Sequence, residues 1–320
     1  MSRSELESEL PAASTEPARV QGRGPFQLAW ARFRGDTVAL ISLAVLLLIV
    51  LFALLAPLWA AWTGHPYDAT FPRTGLDVNG QPAGPGGEFW LGADQLGRDV
   101  LVRAAYGARI SLIVGVAAAM LASLSGVAVG VLAGYAGGVL DTILARAMDI
   151  TLALPYLLVA IVLAVTFQPT SVTASLTMTI VVIAFFSFAA TGRIIRGQVM
   201  SLKRKEFIEA ARSLGAGHRR VMVVDVLPNL VAQVTVLASL LVPTSIVFEA
   251  TLSFLGVGVR LPMPSWGGML GEGSDVFQTA WWLLAVPGVL LLLTTLSFNL
   301  VGDAIRDALD PRGDRIPGKR

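Results

Sequence analysis

Long stretches of this chain carry no charged residue, and this feature constrains the fold more than any other. A helix that crosses a bilayer needs about 20 mostly apolar residues. Six segments qualify, and we predict membrane spans at about residues 37–62, 110–136, 147–167, 172–192, 228–252 and 277–302. Only 14% of the residues are charged, and a soluble fold this apolar would expose large hydrophobic patches. The sequence therefore predicts an all-α polytopic membrane protein.

Two of these spans need a separate argument. The stretch from Asp149 to Thr191 has no charge after Asp149, but Gln168-Pro169-Thr170 interrupts it, so we divide it into two spans. The first span follows a polar leader at 1–36 and is longer than the apolar region of a signal peptide, which has about 7–15 residues. We therefore expect the first span to be retained as a helix.

The distribution of Lys and Arg predicts the orientation of the chain. With a cytoplasmic N-terminus, 19 of the 24 basic residues fall in cytoplasmic segments and five in external segments. We therefore expect a multi-pass protein of the cytoplasmic (inner) membrane with both termini inside. The predicted parts are a polar, disordered N-terminal tail within 1–36, the first span at 37–62, an external loop at 63–106, a membrane domain at 107–302 and a tail at 303–320.

The most informative cytoplasmic segment is residues 193–228. A helical pattern runs from Lys203 to Leu214, and a second short helix is expected from His218 to Val226. The apolar residues near one face of the first helix are Phe207, Ile208, Ala211 and Leu214. Gly215 and Gly217 would end that helix, because glycine takes the left-handed conformation of a sharp turn. Pro228 suits the first turn of the fifth span.

The spacing within this segment resembles the EAA motif of ATP-binding-cassette (ABC) importer permeases. Glu209-Ala210-Ala211, Gly215 and Leu227-Pro228 stand at the motif's positions, but Asp225 occupies its apolar position, between Val224 and Val226. We expect the hydrophobic contact to be shifted by one residue. In that family the segment docks in a groove of the ATP-hydrolysing subunit, so the resemblance implies a coupling role for Glu206, Glu209, Ala210, Ala211, Gly215, Leu227 and Pro228. The alternative is a solvated loop of mixed charge.

Further segments resemble one branch of that superfamily, the C-type permease subunits of dipeptide, oligopeptide and nickel importers. The matching segments are Leu91–Asp99 (with Ala93 where Thr is usual), Gly107–Leu112, Gly134–Gly138 with Asp141, Arg146 and Asp149, Leu252–Gly258, Pro264–Gly267 and Asn299–Pro311. The resemblance covers roughly residues 26–312. It implies the type I ABC importer permease fold. The implied partners are a second, B-type permease subunit, one or two ABC ATPase subunits and an extracytoplasmic solute-binding protein. ATP and Mg would bind the ATPase subunits, and this chain would bind no cofactor.

At the external side, Asp94, Arg98, Asp99 and Trp266 are candidates for an outer gate or for docking of the solute-binding protein. The alternatives are exposed ion pairs at a capped helix, worth about 0–1 kcal/mol, and an interfacial anchor for Trp266. Glu249 near the end of the fifth span is a candidate for the translocation pathway. Pairing of Glu249 with an arginine of this chain or of its partner is the alternative.

Other pairs in the sequence predict packing. Arg146 and Asp149 lie three residues apart on one helix face and should pair. Gly126 and Gly130 form a Gly-x-x-x-Gly pair, which allows close helix approach in lipid. We expect that pair to pack within the chain, with packing against a partner subunit as the alternative.

Several function classes find no support in the residues. The chain lacks cysteine and a Gly-x-x-x-x-Gly-Lys-Ser/Thr phosphate loop. His65 and His218 have no metal-ligand spacing and suggest no catalytic triad. No basic-aromatic surface suggests a nucleic-acid partner. We therefore expect no enzymatic activity and no metal site. The resemblance implies a permease that moves dipeptides or oligopeptides by alternating access, coupled to ATP hydrolysis on another subunit. Nickel or another small solute, or a self-contained secondary transporter with a buried coupling site, remain alternatives. An intramembrane enzyme lacks a plausible nucleophile and base.

Overall fold

The structure, a computed structural model, describes residues 25–309 and is all-helical over that range. In chain order the helices are α1 (Pro25–Gly35), α2 (Thr37–Leu54), α3 (Ala56–Thr63), α4 (Val100–Ala136), α5 (Gly138–Ala153), α6 (Tyr156–Phe167), α7 (Val172–Leu202), α8 (Glu206–Ser213), α9 (His218–Arg220), α10 (Leu227–Phe254), α11 (Trp266–Ser274) and α12 (Trp282–Leu309). A π-helical turn, Val221–Val226, joins α9 to α10. The tails at 1–24 and 310–320 lie outside the described residues.

Five helical segments are long and apolar enough to cross a membrane: α2, α4, α7, the continuous helix His218–Phe254 and α12. They confirm five of the six predicted spans, with shifted ends. The second span starts at Val100 rather than near residue 110, because Asp99 caps α4 with its side chain. Along α4, neighbours from α2, α7, α10 and α11 pack against it. This helix is therefore central to the bundle.

The first predicted span, 37–62, breaks at Leu55 into α2 and α3. Pro57 lies in the first turn of α3, and a proline has no N–H to continue the hydrogen bonds of α2. Arg109 of α4 donates from Nε to the carbonyl oxygen of Ala53 (2.5 Å) and from Nη2 to that of Leu54 (2.6 Å). The arginine therefore satisfies carbonyl groups at the end of α2.

The third predicted span, 147–167, is not a straight helix. It is formed by α5 and α6, which meet at 84°. The bend lies at Leu154, whose backbone is extended, because the residue before a proline is disfavoured in the helical region. Asp141 in α5 pairs with Arg196 near the end of α7. Just after α6, the carbonyl oxygen of Pro169 accepts from Arg260, at the other end of the bundle. The bent pair therefore reaches both ends of the bundle and, counted as one span, is the sixth candidate crossing.

A row of three glycines brings α4 against α7. A Cβ atom added at Gly126, Gly130 or Gly134 would lie 2.8, 2.5 or 2.7 Å from a carbonyl oxygen of α7. A side chain at any of these positions would force the helices apart. The structure thus confirms that the glycine pair predicted from the sequence packs within the chain, and it extends the pair by one turn.

The two ends of the described chain pack together. Phe33 of α1 is buried against Ala304 and Ala308 of α12. The other end of α12 lies at the opposite end of the bundle, where the indole N–H of Trp282 donates to the carbonyl oxygen of Ala93. Below, the end with α8 is called the predicted cytoplasmic end and the end with Asp94 the predicted external end.

Candidate functional site

The segment between α7 and α10 forms two helices bent at a glycine, as the sequence predicts. The first helix, α8, starts at Glu206 rather than at Lys203 and ends at Ser213. Both Glu206 and Glu209 lie in its first turn, where carboxylates favour the positive end of the helix dipole. Gly215 then takes the left-handed conformation, with φ of +86°. We call residues 203–228 the coupling segment.

The coupling segment is held to the bundle by one apolar cluster. Ile208 of α8 is buried with Val221 and Val226, against α4 and α7. Val226 is fully buried, whereas its neighbour Val224 is exposed and Asp225 is half-buried. The apolar contact expected at the position of Asp225 is therefore made one residue later, as predicted.

The outer face of the coupling segment is free of contacts with the rest of the described chain. Glu209, Ala210, Gly215 and Pro228 are exposed. Phe207 is 45% exposed and Leu214 is 89% exposed. The expected single apolar face is therefore wrong in part, because Ile208 packs inward while Phe207 and Leu214 do not. The segment presents apolar side chains and charges of both signs away from the bundle, with Glu206 and Glu209 on α8.

The π-helical turn before α10 explains how the chain continues past Pro228. A proline ring clashes with the carbonyl four residues earlier in a regular helix. The wider turn at Val221–Val226 precedes that proline and lets the axis run unbroken from His218 to Phe254. Because of this continuity, α9, the π-helical turn and α10 form one helical element.

At the predicted external end, the segment Leu91–Asp99 folds into a tight turn. A bridge pairs Ala93 with Asp99. Asp94 accepts hydrogen bonds from the backbone N–H groups of Leu96 and Arg98, both at 2.9 Å. Gly97 closes the turn with φ of +72°, a conformation that favours glycine. The motif that resembles peptide permeases is thus built around the carboxylate of Asp94.

That turn contributes to a buried ion cluster of four side chains, Asp94, Arg98, Arg103 and Glu272. Arg98 Nε lies 2.6 Å from Asp94, and Arg98 Nη2 lies 2.8 Å from Glu272. Arg103 is 1% exposed and lies 2.9 Å from Glu272 and 3.2 Å from Asp94. The local pair of Asp94 with Arg98 considered from the sequence is therefore present, but it is buried rather than exposed, because Glu272 of α11 covers the cluster.

Asp99 plays a different part from Asp94. It caps α4 by accepting from the N–H of Leu101 at 2.9 Å, and its other oxygen lies 2.8 Å from Nδ1 of His65. The second ring nitrogen of His65 lies 3.2 Å from Glu88. Asp99 therefore joins the start of α4 to the loop that follows α3.

The structure places Trp266 in the interior rather than at the membrane surface. Its exposure is 0%, its indole N–H donates to the carbonyl oxygen of Ala104 at 3.1 Å, and its ring covers Gly107. An interfacial anchor needs contact with the lipid headgroups. The anchor interpretation is therefore wrong, and Trp266 packs the start of α11 against α4.

Glu249 does not pair with an arginine of this chain within the described residues. Its two oxygens accept from the hydroxyls of Ser111 and Ser253, each at 2.7 Å, and the side chain is 0% exposed. Buried polar groups need such partners. Because α4 and α10 enclose it, Glu249 is not on an open pathway surface in this conformation, contrary to the expectation from its depth in the span.

Charged residues at the predicted cytoplasmic end tie α5 to α7. Arg146 lies 3.7 Å from Asp149, which confirms the predicted pair, and Arg193 of α7 also binds Asp149. Arg196 binds both oxygens of Asp141. Bidentate guanidinium–carboxylate contacts fix geometry as well as charge. These pairs hold the first half of the bent span in place.

Sequence reasoning missed Arg103 and Glu272, the other half of the ion cluster. A signal was present: Glu272 stands between two glycines in a segment predicted to be external, as Arg98 and Arg103 are. Unmatched charges at one end of an apolar bundle are good candidates to pair. Glu272 also lines a cavity of about 830 Å³ between the α6–α7 turn, the loop after α10 and α11.

Comparison with known proteins agrees with this architecture. Residues 126–315 match the family model described as binding-protein-dependent transport system inner membrane component. Residues 24–81 match the model of the N-terminal transmembrane domain of oligopeptide transport permease C.

Similar relatives cover nearly the whole chain. An oligopeptide transport system permease protein, OppC, of Escherichia coli (strain K12) is 41% identical over 93% of this chain and 95% of its own. A di/tripeptide transport system permease protein, DppC, of Pseudomonas aeruginosa (strain UCBPP-PA14) is 39% identical over 94% and 96%. A glutathione transport system permease protein, GsiD, of Salmonella paratyphi A is 40% identical over 91% and 92%. This chain therefore belongs to the family of binding-protein-dependent transport system inner membrane components, as a multi-pass permease of the bacterial inner membrane.

Proposed function

We propose that this chain is the C-type permease subunit of an ABC importer that carries dipeptides or oligopeptides into the cell. The observation that carries the proposal is the similarity to peptide permeases over more than nine-tenths of both chains. A relative named for glutathione, itself a peptide, points to the same substrate class. The chain would form part of the path, and substrate choice would rest mainly with a separate binding protein.

The coupling segment supports the proposal that the importer uses ATP hydrolysed by a separate subunit. It projects from the predicted cytoplasmic end with Phe207 and Leu214 exposed. Apolar side chains outside both the bundle and the lipid favour a protein partner. The mixed acidic surface of α8 suits basic groups on an ATPase subunit. ATP and Mg would bind that subunit, and this chain would contribute movement rather than hydrolysis.

The arrangement of helices supports a second permease subunit. Apolar side chains on α5 and α6, among them Ile143, Ile150 and Leu158, are 59–64% exposed. A bent span with few inward contacts packs poorly against lipid alone, since its backbone groups at the bend also need partners. The pathway would then lie between the two permease subunits, with a solute-binding protein delivering peptides to the predicted external end.

A self-contained secondary transporter is the weaker candidate. Such a protein needs an ionisable or ion-binding site that opens to each side in turn. Glu249 is a fully buried carboxylate, but the hydroxyls of Ser111 and Ser253 donate to its two oxygens, and the side chain has no solvent-exposed surface in the structure. The geometry of Glu249 suits a structural link between α4 and α10.

Uptake of a radiolabelled dipeptide by cells with and without this gene tests the proposal, with nickel uptake measured in parallel. We expect deletion to abolish dipeptide uptake and to leave nickel uptake unchanged. Restoration requires the gene in trans, and depletion of cellular ATP should abolish the restored uptake. Normal dipeptide uptake in the deletion strain would contradict the peptide proposal, and loss of nickel uptake alone would move the substrate to nickel.

A further inference from the structure

We propose that Tyr135, at the end of α4, is the positioning residue through which the coupling segment moves the membrane helices. This inference rests on the proposed function, since it names the contact that would transmit force from the ATPase subunit. The coupling segment is the part exposed to a partner, yet movement matters only if the segment is fixed to a spanning helix. The contacts of Tyr135 supply that fixation at three separate points.

The first two contacts are with cations. Lys203, just before α8, lies 5.8 Å from the centre of the Tyr135 ring and donates to the Tyr135 carbonyl oxygen at 2.7 Å. The guanidinium of Arg212, in the last turn of α8, lies 5.6 Å from the same ring centre. A cation within about 6 Å of an aromatic ring is attracted to its face. Tyr135 therefore binds Lys203, which caps the end of α7, and Arg212 in the last turn of α8.

The third contact lies beyond the glycine turn. The Tyr135 hydroxyl lies 3.2 Å from Nδ1 of His218, the first residue of α9, and the two rings meet edge to face. The tyrosine is only 7% exposed. One side chain thus holds the residues before α8, the end of α8 and the start of α9 in a fixed relation to α4.

Arg212 shows that this arrangement is specific to the ring. Its Nε is buried and has no hydrogen-bond partner within the described residues. A buried guanidinium nitrogen without an acceptor is costly, so the aromatic face is the main compensation that the structure offers. Replacement of the ring by an aliphatic side chain would remove that compensation while keeping the apolar packing.

Because of its position in α4, Tyr135 connects the coupling segment to the predicted external end. It lies one residue before the end of α4, a single helix of 37 residues, or about 55 Å at 1.5 Å per residue. At the other end of this helix stand Asp99, its cap, and Arg103 of the ion cluster. Because the glycine row packs α4 closely against α7, a shift of α4 would also displace α7. A shift of the coupling segment would therefore reach the predicted external end through one continuous element.

The test uses the whole importer, purified through a tag on this chain with the subunits that bind it and reconstituted in proteoliposomes. Tyr135→Leu removes the ring and the hydroxyl, and Tyr135→Phe removes the hydroxyl alone. Tyr106→Leu is the matched control, because Tyr106 lies on the same helix with Arg109 5.4 Å from its ring centre but far from the coupling segment. The readouts are ATP hydrolysis, uptake of radiolabelled alanyl-phenylalanine, and hydrogen exchange of residues 206–220.

We expect Tyr135→Leu to lower uptake per ATP hydrolysed by at least about fivefold, the lower end of typical couplings between sites. Its exchange at 206–220 should rise by a similar factor, because the segment opens more often. Tyr135→Phe should show a smaller loss, and combining it with His218→Ala should add nothing further. Tyr106→Leu should keep the wild-type ratio of uptake to hydrolysis.

Two results would overturn the inference. One is wild-type uptake per ATP in Tyr135→Leu. The other is a loss of bound ATPase subunits with unchanged exchange at 206–220, which would make the ring a docking contact only. If the wild-type importer itself shows no ATP-dependent uptake of the dipeptide, the peptide proposal fails, and the uptake ratio no longer tests Tyr135. The exchange result then still decides whether Tyr135 anchors the segment.

Discussion

Removal of the Glu272 carboxylate should destabilise the predicted external end more than any other single change to a partly exposed acid in this chain. Glu272 binds both Arg98 and Arg103 within 3.0 Å. Without it, two guanidinium groups share the one carboxylate of Asp94, and a net positive charge is left in a buried site. Breaking a buried pair by deleting one partner costs about 3–5 kcal/mol, because the remaining charge loses its compensation.

The magnitude can be refined by comparing two replacements. Glu272→Ala removes both acceptors, whereas Glu272→Gln keeps one oxygen acceptor and the side-chain shape. Hydrogen bonds to charged groups contribute about 1.5–3 kcal/mol, so the glutamine variant should retain roughly half of the stabilisation. At about 2 °C per kcal/mol for a chain of this size, the alanine variant should melt at least about 6 °C below the wild type.

Thermal unfolding of the detergent-purified protein, followed by intrinsic tryptophan fluorescence, provides the assay. The chain has seven tryptophans, and Trp266 and Trp282 pack beside α11 and the cluster. Asp275→Asn is the matched control, because Asp275 follows α11, is exposed and binds no other described residue. Its melting temperature should stay within about 1 °C of the wild type, since exposed substitutions change stability by about 0.5 kcal/mol or less. A melting temperature for Glu272→Ala equal to that of the control would refute the reasoning, because the cluster would then contribute nothing to the position of α11.

Three further changes follow from the geometry. Gly130→Ala would place a Cβ atom 2.5 Å from the carbonyl oxygen of Gly192 and should lower stability by about 1–3 kcal/mol. The control is Gly197→Ala, whose Cβ atom meets nothing within 4 Å and which should be neutral or stabilising in the same melting assay. Gly215 also has open space but a φ of +86°, so Gly215→Asn should preserve uptake per ATP, whereas a β-branched valine, which resists that conformation, should uncouple hydrolysis from uptake. Glu249→Ala leaves buried serine hydroxyls without acceptors and should reduce the amount of folded protein in membranes, measured by fluorescence-detected size exclusion, whereas Glu249→Gln should restore most of it.

The spans could be predicted because charge-free runs reflect the dominant cost in a membrane, that of unpaired polar groups in hydrocarbon. The bend at Leu154 could not be predicted from the same runs. Pro155 stands inside an apolar stretch whose hydropathy does not change across it, and an isolated proline is compatible with a kinked or a broken helix. The packing of α5 against α7, through Asp141 and Arg196, and of Tyr156 in α6 against Phe248 in α10 holds the large angle in the structure.

The two ends of the chain differ in how far the sequence predicts them. The coupling segment is local: Ile208, Gly215 and Val226 lie within 20 residues, so spacing and turn chemistry predict two helices and a glycine turn. The ion cluster depends on a contact between Arg98 and Glu272, 174 residues apart. The sequence places unmatched charges at this end but does not say which of them meet, so the expectation of an exposed Asp94 was wrong: the residue is 3% exposed.

The contacts of the motif at the predicted external end hold the start of α4 in place, and its role as an outer gate or docking site stays a prediction. Asp94 and Asp99 place their oxygens on the first turn of α4 and on its buried arginines, and Trp266 closes the same turn from α11. From Ser111 to Tyr135, α4 contains neither a charged residue nor a proline, and it stays one continuous helix through Ser125 and Gly126. On the inference drawn for Tyr135, a helix held at its first turn by buried charges and at its last by Tyr135 would move as one body. The residues at the two ends of α4, which the sequence suggests as separate sites, would then be the two attachments of one helix that moves as a unit.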